Sequence, residues 1–500
     1  MRHILFSLLL APVLLTGCGS AVVNPVSGES ERSVMSEASE LAEGQKAHSQ
    51  VLQEYGVVKN ARLQAYVNDL GQRLARLSHR SQLPWRFTVL DSPEINAFAL
   101  PGGYVYVTRG ILAYMQNEAD LAGVLGHEIG HVTARHGAQR ATRETDAGLG
   151  VLAATVLGAV LESQGMSGAG QMASQVSQTA AAGYIASYGR DQELQADRLG
   201  TEYLARSSYD PRNMINMINV LKNQERFEAD QARAEGRAAP AQNSWLASHP
   251  SNDQRLQMIT QLAAQYPAQG KVTYGDEGRT RYLQAINGVV FGEAADQGLT
   301  RGRNFYHEAL GIALTTPPGW KIQNDADRLV LINAGRDAAL VMKTVPPQAG
   351  KTHDEVIRNL LKPDQGRSDR LVINGLQATR FVGARNNAQG QAQSVEATVV
   401  SGPANTTYLF SYVGKDAAAL QRARRQLQEA EGSFRAMTAG DRAAARPWVI
   451  KTIPYPRGGF AEMARTSPLT SPEQQLRLIN GFYGGGEPNP GQLVKIIATP

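Results

Sequence analysis

Three histidines fall within the stretch LGHEIGHVTARHGA, residues 125–138: His127, His131 and His136. The first two, with Glu128, form His-Glu-x-x-His. On a helix, positions i and i+4 lie one turn apart on one face, so both imidazoles can reach one Zn²⁺. Glu128 lies about 100° round the helix from His127, near such a metal but placed to take a proton from water rather than to ligate. Gly126 and Gly130 carry no side chain and so let another element pack close.

A third ligand must come from elsewhere. A metzincin places a histidine six residues after the second one, with a glycine between. Here that position is Gly137, the glycine slot holds Ala134, and His136 is one residue early. His136 therefore reads as a helix-end histidine, bound to a carbonyl or facing the helix dipole. The stretch SYGRDQELQADRLG, residues 187–200, is a better source, because Glu193 and Asp197 again stand at i and i+4. Glu193 would complete a His₂Glu site, an arrangement that leaves a fourth position for water. Asp197 could accept the ring N–H of a ligating histidine and fix its tautomer. Both acids also suit a solvated helix surface, paired with Arg190 and Arg198.

The elements that must carry these residues are legible as patterns. Leu63, Tyr66, Val67, Leu70 and Leu74 recur at helical spacing. WRFTVLDS reads as a strand, and NAFALPGGYVYVTRGIL as a strand pair broken at Pro101-Gly102-Gly103. From Asn117 to about Gln139, apolar residues at helical intervals put the histidines on a helix. Residues 147–182 are Gly, Ala and Ser rich, with an apolar run too short for a confident membrane span. They predict a mobile cover or helix pair near the site, with a membrane-touching hairpin as the alternative. Helices return over 190–205 and through NMINMINVLKNQE, residues 228–243 read as a polar loop, and a last helix begins after Pro250.

Five hundred residues predict two to four domains. A net charge of +5 with no Lys/Arg block interleaved with aromatics excludes a nucleic-acid groove. The N-terminus has a basic start and a short apolar run, predicting a secretion signal over 1–17. Cys18 is the only cysteine, so it has no disulfide partner. Leu15-Thr16-Gly17-Cys18 resembles a bacterial lipobox, which implies lipidation at Cys18, and Gly19 after it favours the inner face of the outer membrane. The polar, Ser-rich stretch over 18–43 reads as a tether.

The ordered set NAFALPGGYVYVTRGIL, HExxH, ExxAD and SHPSNDQR resembles the gluzincin metallopeptidases that include the CAAX prenyl proteases, HtpX and the BepA-type proteases. The resemblance covers about 44–268 and implies a mainly α-helical zincin domain with a small sheet. It implies His127, His131 and Glu193 as ligands of one Zn²⁺ per chain, Glu128 as general base and Asp197 behind a ligand. It also implies that Asn96, Ala97, Phe98, Ala99, Leu100, Pro101, Gly102 and Gly103 form the edge on which an extended substrate adds. His249 falls where the family carries a histidine near the metal, either to donate to the oxyanion or to cap the open site at rest.

Beyond a linker over 269–303, alternating strands predict an α+β domain over 304–438 that resembles Mog1/PsbP-type sandwiches. Residues 445–500 resemble a diverged LysM repeat, which implies peptidoglycan as a partner. Together these features predict a multidomain envelope metalloendopeptidase that cleaves misfolded or unassembled periplasmic and outer-membrane proteins. The rival is an envelope chaperone that binds unfolded outer-membrane proteins in the same groove.

Overall fold

A computed structural model describes residues 19–146, 188–236, 249, 253–266, 277–325, 328–386 and 390–499. The signal, Cys18 and the stretch 147–182 lie outside the described residues. Two compact units divide the chain. The first runs to Asn287 and includes Thr452–Arg465 and Leu469–Ile496. The second is Gly288–Lys451 with Thr466–Pro468 and the last residues from Ile497. Among the described residues no helix is long and apolar enough to cross a membrane.

In the first unit, β1 (Ser20–Val23) and β2 (Ser30–Ser33) pair antiparallel. They lead to α1 (Glu37–Tyr55), whose N-cap Ser36 accepts from the Ser39 N–H. α2 (Ala61–Ala75) starts at the N-cap Asn60 and buries Leu63, Val67, Leu70 and Leu74, the apolar stripe of its sequence. Three strands follow: β3 (Arg86–Leu90), β4 (Ala97–Leu100) and β5 (Tyr104–Thr108). Their order is β3-β5-β4, so β5 is central and buried throughout while β4, among the described residues, keeps one free edge. Gly102 and Gly103, at φ 84° and 97°, make the turn between β4 and β5, a backbone that a side-chain-bearing residue adopts only with strain.

The short α3 (Arg109–Leu112) precedes α4 (Glu118–Thr133), which buries every one of its residues. A helix enclosed on all sides is a core helix, and α4 packs on α2, β4 and the two helices that follow. These are α5 (Arg190–Arg206) and α6 (Asn213–Ala234), with α7 (Asp253–Gln265) and α8 (Arg279–Ile286) completing the bundle. α4 and α5 meet at their smallest residues. A Cβ on Gly126 would stand 3.3 Å from Gly200 Cα, and one on Gly130 would stand 3.0 Å from Ala196 O. That close crossing is what brings side chains of the two helices to one point.

Four expectations differ from the folded chain. The presumed tether is a hairpin from residue 20 onward: Gly28 at φ 72° closes it, and Asn24 binds both the turn and Ala134 O at 3.2 Å. These contacts are polar and leave no apolar pattern in sequence. The presumed loop from residue 228 is helical to Ala234, with Ala232 buried. Part of the presumed linker is α8, which buries Tyr282, Leu283 and Ile286.

Lastly, most of the presumed C-terminal module belongs to the first unit. Its Lys495 is fully buried, and the Nζ donates to Ala113 O at 2.8 Å and Met115 O at 2.7 Å, beside the entry to α4. Ile479 O accepts from Gln116 Nε2 at 3.1 Å.

The second unit holds an antiparallel seven-stranded sheet. Its strands lie in the order Lys321–Asn324, Leu329–Ile332, Ala338–Thr344, Thr407–Gly414, Ala392–Ser401, Leu376–Asn386 and Gln365–Ile373. Helix Ala417–Gly432 buries Ala423 and Leu427 in a core with Trp320, Leu340, Phe410 and Phe434. The protein is thus multidomain, a helical unit plus a sheet-rich one.

Candidate metal centre

α4 presents His127 and His131 one turn apart, and their Nε2 atoms stand 3.0 Å from each other. α5 faces them with Glu193: Oε2 lies 3.5 Å from His127 Nε2 and Oε1 lies 3.4 Å from His131 Nε2. His249 adds Nδ1, 3.2 Å from His127 Nε2 and 2.9 Å from Glu193 Oε1. All four residues are buried, and their donor atoms lie within 4.8 Å of one another. Four ligands at 2.0–2.1 Å from one tetrahedral centre are roughly 3.3 Å apart, so the spacing fits a single ion. Three imidazoles and a carboxylate are a donor set suited to zinc.

The ligand candidates are themselves held. His127 Nδ1 stands 2.9 Å from Asp197 Oδ1, one turn beyond Glu193 on α5. Arg255 on α7, fully buried, reaches both oxygens of Asp197 at 2.7 Å, Glu193 Oε2 at 2.9 Å and His249 O at 2.9 Å. One guanidinium thereby ties α5, α7 and the His249 segment together. His131 is steadied from outside: its Nδ1 pairs with His136 Nδ1 at 2.8 Å, and Tyr188 stacks on its ring at 4.0 Å. His136 in turn pairs with Gln195 Oε1 at 2.9 Å. It faces the side of His131 away from Glu193's partner atom.

Burial by itself raises a carboxyl's pKa, yet the three histidines around Glu193 hold it well below the ordinary value. Burial likewise works against Asp197, and Arg255 overcomes it, keeping this acid ionised. Burial would depress His127, but Asp197 and Glu193 lift it to about 9. His131 is pushed well below its usual value by burial, which Glu193 only partly opposes. Glu128, also buried, places Oε1 3.6 Å from His249 Nε2.

β4 runs beside α4, with Ala97 buried and Phe98 to Leu100 half-buried. Asn96 lies at its start, its N–H donating to Thr108 Oγ1 at 3.2 Å. A cleft of about 220 Å³ opens between Leu100-Pro101 and the end of α4, next to His131 and Tyr188. The residues singled out in sequence therefore converge: His127, Glu128, His131, Glu193, Asp197 and His249 in one buried cluster, with 96–103 alongside. Arg255, Tyr188 and Gln195 carry no sequence signal of this role. Arg255 sits within SHPSNDQR, but only the fold shows that its partners are 58 and 62 residues earlier in the chain.

The site is thus a buried helix bearing HExxH, crossed by a second helix that delivers a carboxylate. In comparison with known proteins, residues 61–263 match Peptidase family M48. It is 32% identical over 259 residues to the beta-barrel assembly-enhancing protease of Yersinia pestis, covering 50% of this chain and 51% of that one. The Escherichia coli (strain K12) protein of the same name is 31% identical over 210 residues, 42% of this chain and 43% of that one.

The mitochondrial metalloendopeptidase OMA1 of Schizosaccharomyces pombe is 30% identical over 218 residues, 43% and 58% of the two chains. The chain thus spans about half the length of the curated relatives it matches. A solution structure of PsbP from Synechocystis sp. PCC 6803 aligns at 12% identity over 29% of this chain and 98% of that one. Its TM-score of 0.21 is too slight to define a fold.

Proposed function

We propose that this protein is a zinc-dependent endopeptidase of the bacterial envelope that cleaves misfolded or unassembled outer-membrane and periplasmic proteins. The observation that carries the reading is the buried His127, His131, Glu193, His249 cluster with Glu128 beside it, one residue from His127 on the same helix and 3.6 Å from His249. The names of the bacterial relatives support an assembly role at the outer membrane. The lipobox-like Cys18 supports a lipid anchor at its inner face. The strand-helix-helix-strand order of Trp448–Pro454, Gly459–Ala464, Pro472–Ile479 and Leu493–Ala498 supports the LysM-like reading and peptidoglycan as a further partner.

His127, His131 and Glu193 would hold one Zn²⁺. Zinc, when bound, supplies Lewis acidity that lowers the pKa of water and polarises the scissile carbonyl. Glu128 takes the proton of the attacking water as the C–O bond forms and delivers it to the amine as the C–N bond breaks. Asp197, fixed by Arg255, holds His127 through Nδ1 and so turns Nε2 toward Glu193 and His131. β4 orders an extended peptide by adding it as a strand. His249, whose Nδ1 belongs to the same cluster, would serve as a fourth donor to the ion and so shield it from water.

The test is digestion of an unfolded outer-membrane β-barrel protein by the purified chain. Cleavage should stop on chelation and return on adding zinc. Aggregation suppressed equally with and without chelator, and no cleavage in either, would contradict the reading.

A further inference from the structure

We infer that the cleft beside the candidate metal centre is a specificity pocket for a substrate side chain ending in an acceptor oxygen, glutamine or glutamate, and that Arg135 reads that oxygen. The inference rests on the endopeptidase reading for its substrate, a peptide, and goes beyond it in naming the side chain.

The cleft has apolar walls in Leu100, Pro101, Val132 and Ala138. Arg135, Glu40 and Arg140 also line it, and Arg135 is 3% exposed. Its backbone is at φ 61°, just past the C-cap Ala134 of α4, where glycine is the residue that fits without strain. Of its guanidinium nitrogens, Nε donates to Glu40 Oε1 at 2.5 Å and Nη2 to Met35 O at 2.7 Å. Nη1 is buried and has no hydrogen-bond partner among the described residues.

A buried guanidinium N–H without an acceptor is costly, so the site is chemically incomplete. Glu40, buried, is shared between Arg135 and Arg80, whose Nη1 stands 2.8 Å from Glu40 Oε2 and whose Nη2 pairs with Glu37 Oε1 at 3.2 Å.

The cleft adjoins the free-edged strand β4 through Ala99 and Leu100 and the candidate ligands through His131. A peptide added to β4 turns alternate side chains to either face, and one of them enters here. Apolar walls suit its methylenes, and the Arg135 N–H suits the oxygen at its tip.

The test uses the full chain as the Glu128→Gln holoprotein, which keeps the ligands and spares the peptide. Fluorescent alanine-based decapeptides carry Gln, Glu or Met, the last a near-isostere of Gln without an acceptor, at each position in turn. At one position Gln or Glu should bind about tenfold or more tighter than Met, as one hydrogen bond to a charged donor gives. Arg135→Gly, whose backbone accepts φ 61° and which leaves Arg80 on Glu40, should bring that ratio to about one. Ala138→Leu should weaken all three side chains at that position by filling the pocket.

Met binding as well as Gln and Glu everywhere, no binding of any peptide, or a preference that survives Arg135→Gly would each overturn the inference; a purely structural Arg135 predicts the first. A wild-type enzyme that cleaves none of the peptides bound would overturn the endopeptidase reading alone.

Discussion

Asp197 Oδ1 stands 2.9 Å from Nδ1 of His127, and the pair is buried completely. The histidine is thereby fixed with Nε2 directed to Glu193 and His249. Partners behind a metal's ligands typically govern affinity by 10–100-fold. Asp197→Ala is expected to weaken zinc binding by about that factor, measured by competition with a chromophoric chelator. Arg255→Met should do nearly as much, because it frees Asp197, Glu193 and the His249 carbonyl together. Unchanged affinity in both variants would remove this layer from the site's design.

His249 distinguishes a cap from an oxyanion donor. If it is a fourth donor that keeps water out, His249→Ala should retain zinc and raise the rate on unfolded protein severalfold. A lower rate with zinc retained would assign it to the transition state instead.

The α4–α5 crossing depends on its small residues. A Cβ at position 130 meets Ala196 O at 3.0 Å and both Ala196 Cα and Leu199 Cβ at 3.2 Å. Gly130→Val should therefore push α5 and Glu193 away, costing about 2–3 kcal/mol of stability and most of the zinc affinity. A thermal melt with and without zinc checks both effects.

Asp120, in the first turn of α4, is fully buried, and burial raises its pKa to about 6 against the partial relief of the Gln116 N–H and of Lys495. A folded-state pKa above the unfolded one means that the folded chain binds the extra proton between about pH 4 and 6, so this group's contribution falls as pH rises through that window. Replacing it by Asn removes the dependence. Relative to wild type, Asp120→Asn should gain about 2 kcal/mol of unfolding free energy between pH 4 and pH 7 in urea titrations, at about 1.4 kcal/mol per pKa unit.

The site was legible in sequence to an unusual degree because two of its parts are helical repeats of one turn, HExxH and ExxAD, whose geometry follows from spacing alone. β4 and β5 were legible through their Gly-Gly turn. What stayed hidden depends on distance in sequence. Arg255 looks like any helix arginine until α7 is laid against α5. Arg135 looks like a surface residue in TARHG until its left-handed backbone turns it inward. The 20–33 hairpin and the burial of Lys495 rest on polar contacts to remote carbonyls, which leave no periodic signature.

The measurement that bears most directly on the proposed chemistry is made on Glu128→Gln. The variant removes the base and keeps His127, His131, Glu193 and His249. It should retain one zinc per chain by elemental analysis and cleave an unfolded β-barrel protein at least about 100-fold more slowly than wild type. Cleavage at the wild-type rate by a zinc-loaded Glu128→Gln protein would contradict it.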